Sequence, residues 1–374
     1  LKEILFVGKR QPAIEAARAL GCSFSVQDVE SRSEQATGAF GGTVEASVAA
    51  AKKLYHNATP SAVLAVAEGA VPSAAAIREK FGLQGLDPES AQRCHNKLTM
   101  KKAVVAAGIP CAPWLETAAD TTPEEVVERL GLPVVLKVPI SSGGRGVSLC
   151  SSVEEVAAAL APGLLAEEFI AGAEMSVESF RKNNRTLFRN HTRYLVPHWA
   201  SIVPASESLG DQAAINALAE RVHEALGIND GMTHMEIFLT PEGPVFGEIA
   251  ARPPGGRLME LIGRAYDFDP WRAVLQLSLG ETPRFPDQAR CFAGVWMLYP
   301  DAGVVTKISG LSEARKVPQV ARLTCRAKPG REYPARLGTG QSAGEIIVVA
   351  DTMNECESRL REAHDLIAFE IAPA

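Results

Sequence analysis

The sequence lacks the features that mark membrane proteins and non-specific nucleic-acid binders. No apolar run approaches the roughly 20 residues of a membrane-spanning helix. Residues 1–8 predict a first strand, because their apolar stretch is too short for a signal peptide. The 38 Lys and Arg against 44 Asp and Glu leave a formal net charge of −6. We therefore expect no nucleic-acid partner and no membrane partner.

Cysteine is scarce and scattered. The seven cysteines are odd in number and form no CxxC pair and no Cys/His cluster at zinc spacing. A disulfide framework and a structural zinc site are therefore not expected, and the reducing cytoplasm is the default location. A lone nucleophilic cysteine stays open as an alternative to buried apolar cysteines.

The length of 374 residues predicts two to three domains. Strand and helix patterns alternate over the first ninety residues, which predicts βαβ units in a small parallel sheet. The GxGxxG fingerprint is absent after the first strand, so no dinucleotide site is expected there. The predicted strands are 1–7, 24–29 and 62–67, and the predicted helices are 12–20 and 74–81.

Beyond residue 90 the pattern becomes strand-rich after an initial helix and a linker. We predict a helix over 90–107, a linker over 111–122 and a helix from Pro123. The remaining predicted strands are 133–138, 146–150, 164–170, 232–239 and 245–252, and the remaining predicted helices are 212–226 and 354–366.

Two acidic strands over 232–252 form the most informative segment, which we interpret as a β-hairpin. With a three-residue loop at 241–243, Glu236 pairs with Glu248. Opposed like charges are destabilising, and a divalent cation with oxygen ligands is the simplest compensation. A pair of solvated glutamates is the alternative. A two-residue loop would place the two acids on opposite faces and remove the argument.

Arginine and histidine side chains accompany the two acids. Arg252 lies four residues after Glu248 on the same predicted strand face, and the Gly-rich bend 253–257 follows. A guanidinium beside a metal pair suits a substrate with several anionic oxygens. Arg257 is a candidate carboxylate clamp or a surface arginine. His234 is a candidate substrate contact or a structural histidine.

A lone lysine and a glycine loop suggest phosphate binding. Lys137 interrupts the apolar run 133–138 and needs an anionic partner or a route to water, unless its strand lies at a sheet edge. Successive glycines after it let backbone N–H groups converge on phosphate oxygens. A Walker loop is absent and a strand follows, so we predict a flap joining two strands, with a plain hairpin turn as the alternative. The loop consists of Ser141, Ser142, Gly143, Gly144, Arg145 and Gly146.

An acidic-aromatic segment over 167–174 is the fourth motif. Its backbone can offer N–H and C=O groups to an adenine edge, while a carboxylate binds ribose hydroxyls. A strand ending in a Gly turn is the alternative. Its members are Glu167, Glu168, Phe169, Ile170 and Glu174.

In this order and spacing, the four motifs resemble those of the ATP-grasp superfamily. The form Glu-x-Ala-Ala-Arg, preceded by Thr-His-x-Glu, is most similar to the L-amino-acid ligase branch, and parts of 299–351 resemble the terminal domain of those ligases. The resemblance implies an α/β (α+β) chain with three regions. These are a small N-terminal parallel α/β domain (1–90), an ATP-grasp nucleotide-binding and catalytic region (91–285, with a lid at about 123–182) and a small C-terminal α+β subdomain (286–374).

The resemblance also implies residue roles. Lys97 and Lys137 would contact ATP, and the loop 141–146 would cover its phosphates. Glu167 would lie on the adenine side, with the segment from Glu168 through Phe169 to Ile170 at the adenine edge and Glu174 at the ribose. Glu236 and Glu248 would bind Mg²⁺, or alternatively Mn²⁺. Arg252 would stabilise the transferred phosphoryl group or the tetrahedral intermediate.

Two positions depart from the family pattern. Asn96 precedes Lys97 where many members have Asp, and Ala250 stands where many members have Asn. The second departure predicts that a second magnesium ion is held by fewer protein ligands.

The activity implied by the resemblance is ATP-dependent ligation of a carboxylate and an amine. The substrates would be small molecules, amino acids above all, joined through an acylphosphate with release of ADP and phosphate. His234 is the candidate general base for the amine, and a homodimer is common among such enzymes. The alternatives are a purine-pathway, formate-activating or biotin-carboxylase-like enzyme of the superfamily, and a non-catalytic ATP-binding module.

Overall fold

A computed structural model describes residues 2–27 and 43–373 of the chain. The strands, numbered in chain order, are β1 Glu3–Val7, β2 Ser23–Gln27, β3 Ala62–Ala65, β4 Trp114–Glu116, β5 Val134–Lys137, β6 Val147–Cys150, β7 Leu165–Glu168, β8 Ala173–Lys182, β9 Arg185–Val196, β10 Ala200–Val203, β11 Gly231–Thr240, β12 Gly243–Ala250, β13 Phe292–Leu298, β14 Gly303–Ser309, β15 Val320–Cys325, β16 Glu332–Tyr333, β17 Gly344–Ala350 and β18 Ala368–Ala372. The helices are α1 Gln11–Ala19, α2 Val44–Leu54, α3 Val71–Phe81, α4 Pro88–His95, α5 Lys97–Ala106, α6 Pro123–Leu130, α7 Val153–Ala159, α8 Gln212–Leu226, α9 Leu258–Tyr266, α10 Pro270–Ser278, α11 Leu311–Ala314 and α12 Met353–Asp365.

A small parallel sheet begins the chain, as predicted. Its strand order is β2-β1-β3, with both pairs parallel. The apolar side chains of β1 are fully buried between the flanking helices. Leu1 and the predicted strand end at 28–29 lie outside the described residues.

The helix predicted over 90–107 is two helices, α4 and α5. Asn96 has an extended backbone between them, and its side chain accepts hydrogen bonds from the N–H groups of Leu98 and Thr99. The amide that departs from the family pattern is therefore an N-cap, which breaks the helix and starts a new one at Lys97.

Four antiparallel strands in the order β4-β7-β5-β6 form a second sheet, which carries the lysine strand and the glycine loop. Helices α6 and α7 cover it around the buried side chains of Val126, Val134 and Val156. The glycine loop joins β5 to β6 and not to a helix, which confirms the predicted strand-to-strand connection.

The largest sheet is antiparallel and has the order β12-β11-β8-β9-β10-β13-β17-β15. Strands β8, β9 and β10 occupy a stretch for which no element was predicted. Helix α8 has the predicted bounds, because Asp211 caps its start and Gly227 ends it in the left-handed conformation. The sheet continues past residue 285, and the predicted domain boundaries stay predictions.

The C-terminal region mixes strands and helices, as predicted for its α+β character. Strands β16, β14 and β18 form a small antiparallel sheet, and helix α12 packs on the large sheet through Cys356 and Leu360. All seven cysteines lie in the described part of the chain and are free. Across residues 2–27 and 43–373, we find no helix with the length and apolarity of a membrane span.

Candidate active site

The β11–β12 hairpin places Glu236 directly opposite Glu248, although the predicted three-residue loop is wrong. The turn has two residues, since Thr240 pairs with Gly243. A two-residue turn in regular register would put the two acids on opposite faces of the sheet. A β-bulge between Glu236 and Ile237 leaves Gly247 without a cross-strand partner and restores the Glu236–Glu248 pair.

Three carboxylates share the space above this hairpin. Burial and the charges of Glu236 and Glu248 together raise the pKa of Glu174 to about 8, against the lowering effect of Lys137. Burial is the larger cause, and the contribution of the two hairpin glutamates shows that their charges are close to Glu174. The ribose role predicted for Glu174 stays a prediction, but electrostatically this residue belongs to the same acidic group as the two hairpin glutamates.

Lys97 joins the hairpin to the glycine loop. Its buried Nζ lies 3.1 Å from Glu248 Oε1 and donates to the Ser141 carbonyl oxygen at 3.2 Å and to Ser141 Oγ at 3.3 Å. Gly143, Gly144 and Gly146 all have positive φ, so the loop adopts a backbone that other residues rarely adopt. The loop is held at its far side too, because the Thr339 N–H donates to the Gly143 carbonyl at 3.0 Å.

Lys137 is buried beside Glu167 and faces the acidic group. Its Nζ lies 2.5 Å from Glu167 Oε2. Burial alone would lower the pKa of Lys137, but the charges of Glu167, Glu248 and Glu236 raise it above its ordinary value. The predicted anionic partner of this strand lysine is therefore present, and the two hairpin acids are within its electrostatic reach.

Glu167 has a second ammonium partner, Lys101, which the sequence analysis missed. Lys101 Nζ lies 2.6 Å from Glu167 Oε1, so the buried carboxylate sits between two lysines. Burial would raise the pKa of Glu167, and the two lysines hold it below its ordinary value. Lys101 follows Lys97 by four residues on α5, and this one-turn spacing is the signal that could have identified it.

Backbone groups of the predicted adenine edge form hydrogen bonds with other parts of the chain. The Glu168 N–H donates to the Pro113 carbonyl at 3.0 Å, and the Phe169 N–H donates to the Pro133 carbonyl at 3.3 Å. The Ile170 carbonyl accepts from the Gly172 N–H at 3.0 Å. Side chains of Glu168 and Phe169 are exposed. The nucleotide roles of these residues stay predictions.

His234 lies between two carboxylates. Its Nδ1 is 2.8 Å from Glu178 Oε1, and its Nε2 is 3.6 Å from Glu236 Oε1. Burial would lower the pKa of His234, but the two acids raise it to about 9. In the absence of a bound cation, an imidazolium with this pKa is protonated at neutral pH and cannot accept a proton from an amine. This arrangement argues against the predicted general-base role and favours a cation that screens the acidic group.

Glu178 is a fully buried acid that the sequence analysis did not identify. Besides His234, its oxygens accept hydrogen bonds from Ser176 at 2.7 Å, Asn190 at 2.6 Å and Thr192 at 2.7 Å. Glu178 lies four residues after Glu174 on β8 and so shares its face of the sheet. That period-two spacing was visible in the sequence only if the segment was first assigned as a strand.

The predicted strand position of Arg252 is wrong. Strand β12 ends at Ala250, and Arg252 Nε donates to the buried carboxylate of Glu68 at 2.6 Å. Glu68 begins a short 3₁₀ helix after β3 of the first sheet, so this ion pair joins the N-terminal region to the hairpin. Arg257 precedes α9 with positive φ, and its Nη2 lies 3.2 Å from Glu345 Oε1. Their substrate roles stay predictions.

The hairpin acids fit a hard divalent cation. Both offer only carboxylate oxygens, which Mg²⁺ prefers, and Mg²⁺ sites commonly use one or two carboxylates completed by phosphate oxygens and water. Within the described ranges, no group of three or more His, Cys, Asp or Glu side chains could hold a metal ion by itself. The phosphates of a nucleotide would therefore have to supply part of the coordination.

Comparison with known proteins identifies two domains in the chain. The family model of the ATP-grasp domain matches residues 102–256. The family model of the L-amino acid ligase C-terminal domain 2 matches residues 296–372. The crystal structure of the L-amino acid ligase from Bacillus licheniformis superimposes with a TM-score of 0.79 at 22% identity, over 100% of this chain and 99% of that chain. This likeness confirms the predicted fold.

Curated relatives include carbon–nitrogen ligases. The L-arginine-specific L-amino acid ligase of Bacillus subtilis is 26% identical over 59% of this chain, which spans 58% of that ligase's length. Dapdiamide A synthase of Enterobacter agglomerans is 26% identical over 83% of this chain and 80% of that protein. A formate-dependent phosphoribosylglycinamide formyltransferase of Synechocystis is 29% identical over 61% of each chain.

The four motifs, the fold and the two matched domains agree. The chain thus carries an ATP-grasp domain over residues 102–256, followed by the C-terminal domain 2 of L-amino acid ligases over residues 296–372.

Proposed function

We propose that this chain activates a small-molecule carboxylate with ATP and joins it to an amine, with amino acids as substrates and ADP and phosphate as by-products. The observation that carries the proposal is the opposed pair Glu236–Glu248 with Lys97 and Lys137 beside it. The matched C-terminal domain of L-amino acid ligases supports amino acids as the substrate class.

The chain's own residues would hold the reacting groups and neutralise charge. Glu236 and Glu248 would hold Mg²⁺, which when bound neutralises phosphate charge. Lys137 and the N–H groups of 141–146 would hold phosphate oxygens. A substrate carboxylate oxygen attacks the γ-phosphorus and forms an acylphosphate with loss of ADP. The amine nitrogen then attacks the acyl carbon and displaces phosphate, while Arg252 faces the developing negative charge.

Closure of the glycine loop would protect the acylphosphate from water. The loop contacts Lys97 at Ser141 and the C-terminal segment at Gly143, so it is anchored at both sides of the cleft. The base that deprotonates the amine is not assigned, since His234 is held protonated between Glu178 and Glu236. A cytoplasmic location and a homodimer stay predictions.

A substrate panel tests the proposal. ADP and phosphate release are measured with pairs of proteinogenic amino acids, with formate and with bicarbonate, and products are weighed by mass spectrometry. We expect release only with amino-acid pairs, and a product that equals their summed mass less one water. Turnover with formate or bicarbonate alone would assign another branch of the superfamily. ATP binding without any turnover would indicate a binding module.

The bulge at Gly247 supplies a further prediction. A Cβ at this position would lie 3.0 Å from the Glu236 carbonyl oxygen and 3.0 Å from the Phe238 ring. We expect Gly247→Ala to lower the free energy of unfolding by about 1–3 kcal/mol through overpacking. We also expect it to reduce ADP release at least about tenfold, because the Glu236–Glu248 pairing depends on this bulge.

Urea titration and the ADP assay measure the two effects. Gly340→Ala is the matched control, since a Cβ at Gly340 meets nothing within 4 Å. If Gly247→Ala kept both stability and turnover, the bulge would not determine the placement of the two acids.

A further inference from the structure

Arg10 reaches from the first sheet to the bend that follows the acidic hairpin. It lies in the turn between β1 and α1, at the carboxyl end of a parallel strand, where ligands of such sheets commonly bind. Its Nη1 donates to the Pro254 carbonyl at 2.8 Å, and its guanidinium lies 5.5 Å from the centre of the Trp271 ring. The side chain is thus fixed on the bend while most of its donors stay unused.

Arg10 differs from the two arginines around it. Arg252 is paired with Glu68 and Arg257 with Glu345, but in the described part of the chain no carboxylate lies within 4.0 Å of Arg10. Burial lowers the pKa of Arg10 to about 10, and repulsion by Arg252 and Arg257 contributes to this. A guanidinium in such surroundings is well placed to receive an anion.

The ion pairs formed by the other arginines around the bend also favour an anionic ligand. Glu345 also contacts Arg322 at 3.4 Å and Arg326 at 3.5 Å, and Glu260 contacts Arg322 and Arg264. In the described part of the chain, these ion pairs join five guanidinium groups to three carboxylates, and Arg10 adds a sixth guanidinium. The guanidinium groups belong to Arg10, Arg252, Arg257, Arg264, Arg322 and Arg326, and the carboxylates belong to Glu68, Glu260 and Glu345.

The bend places no side chain against Arg10 at its two glycines. Arg10 Nη2 lies 3.9 Å from the place where a Cβ of Gly255 would be, and a Cβ on Gly256 would meet nothing within 4 Å. The charges of Arg252 and Arg257 act on Arg10, so an anion held there would lie beside two of the candidate substrate residues.

We propose that Arg10 and Arg257 bind an anionic group of the amine substrate in addition to its α-carboxylate, so that the preferred amine is an amino acid with an acidic side chain. This inference rests on the proposed ligase function and adds the substrate class. A side-chain carboxylate and a phosphate ester share the required chemistry, and the experiment separates them.

Binding is measured by titration calorimetry on the full chain with Mg²⁺ and ADP, using L-glutamate, O-phospho-L-serine and L-glutamine as probes. We expect at least one acidic probe to bind about tenfold or more tightly than glutamine, which corresponds to about 1.4 kcal/mol. A preference for glutamate identifies a carboxylate, and a preference for O-phosphoserine identifies a phosphate ester. Arg10→Gln should remove the preference and change glutamine affinity less than twofold.

Two further variants test whether Arg10→Gln acts through a general change of structure. Arg10→Lys keeps the charge but loses the planar fork, and we expect it to keep part of the preference. Arg18→Gln removes an exposed arginine from α1, the same helix that Arg10 precedes, and should leave all three affinities unchanged. Equal binding of glutamine and both acidic probes, or an equal loss of all three in Arg10→Gln, would overturn the site.

Failure of the site and failure of the ligase proposal give different results. If acidic probes bind through Arg10 but no amino-acid pair releases ADP, the anion site stands and the ligase proposal fails. If neutral amines are ligated as efficiently as acidic ones and Arg10→Gln has no effect, the ligase proposal stands and the acidic-substrate inference is wrong.

Discussion

Glu248→Gln is expected to lose substrate-dependent ADP release by at least about 100-fold, comparable to the cost of removing one group that supports charge stabilisation in the transition state. Glutamine has nearly the same shape but no charge. The variant would weaken the cation site shared with Glu236 and would leave Lys97, 3.1 Å away, without its carboxylate partner. Because the Glu248 side chain is 31% exposed, the fold should tolerate the change.

A coupled ADP assay and a thermal melt measure these two effects. Glu242→Gln is the matched control, because Glu242 is an exposed glutamate in the turn of the same hairpin. The control should keep full turnover. Full turnover in Glu248→Gln itself would refute the metal assignment, and a collapsed melting transition would instead show that the carboxylate is needed for folding.

Glu167→Gln is expected to lower the free energy of unfolding by about 3–5 kcal/mol, the usual cost of removing one partner from a buried ion pair. The Glu167 side chain is only 4% exposed and lies between Lys101 and Lys137. A neutral amide there would leave two buried ammonium groups without a counter-charge. The nucleotide site should weaken too, because Glu167 fixes the position of Lys137.

The stability effect should depend on pH in a defined direction. Ion pairing lowers the pKa of Glu167 from 4.5, so its contribution is present above that pH and is lost as the pH falls through the lowered value. Urea titrations at pH 7 and at pH 3 should therefore show a larger difference between wild type and Glu167→Gln at pH 7.

Glu116→Gln is the control for Glu167→Gln. Glu116 lies on β4, which pairs with the strand of Glu167, and it contacts Lys102 at 2.9 Å with 46% of its side chain exposed. Exposed pairs of this kind contribute about 1 kcal/mol or less. If the two variants were equally destabilised, the buried Lys101–Glu167–Lys137 arrangement would not be the source of the effect.

The predicted pairing of Glu236 with Glu248 is correct because the error in loop length offsets the missing bulge. The sequence could not predict the bulge at Gly247, since a bulge depends on how two particular strands twist against each other. The correct pairing of Glu236 with Glu248 therefore rested on an incorrect loop length, and the turn at Thr240–Gly243 corrects the reason but not the outcome.

Strand β8 shows why a whole region was missed. Residues 175–181 are buried on both faces, and the polar Ser176 and Glu178 interrupt the continuous apolar run that identifies a fully buried strand. Glu178 can be buried because His234, Asn190 and Thr192 from other strands hydrogen-bond to its carboxylate, to which Ser176 also donates. A pattern along one segment cannot reveal partners that are far away in sequence.

The partners of charged residues are also hidden from local patterns when they lie far away in sequence. Lys97 and Lys137 were identified from their places in helix and strand patterns, but the ion pair between Arg252 and Glu68 spans the first and second halves of the chain. Nothing local predicts that Glu68 would meet an arginine 184 positions later. The direction of the Arg252 side chain could therefore not be predicted from the sequence.

Hydrogen bonding runs without interruption from the acidic hairpin to the C-terminal strands, since β13 pairs with β10 along Ala200–Val203. A polypeptide shortened to end near residue 285 would keep every motif of the nucleotide site, yet it would uncover this edge and the apolar side chains of Ile202 and Val203 beside it. Bare edges of this kind recruit other chains. We expect such a fragment to self-associate, so the region that carries the candidate site is not separable from the residues after 285.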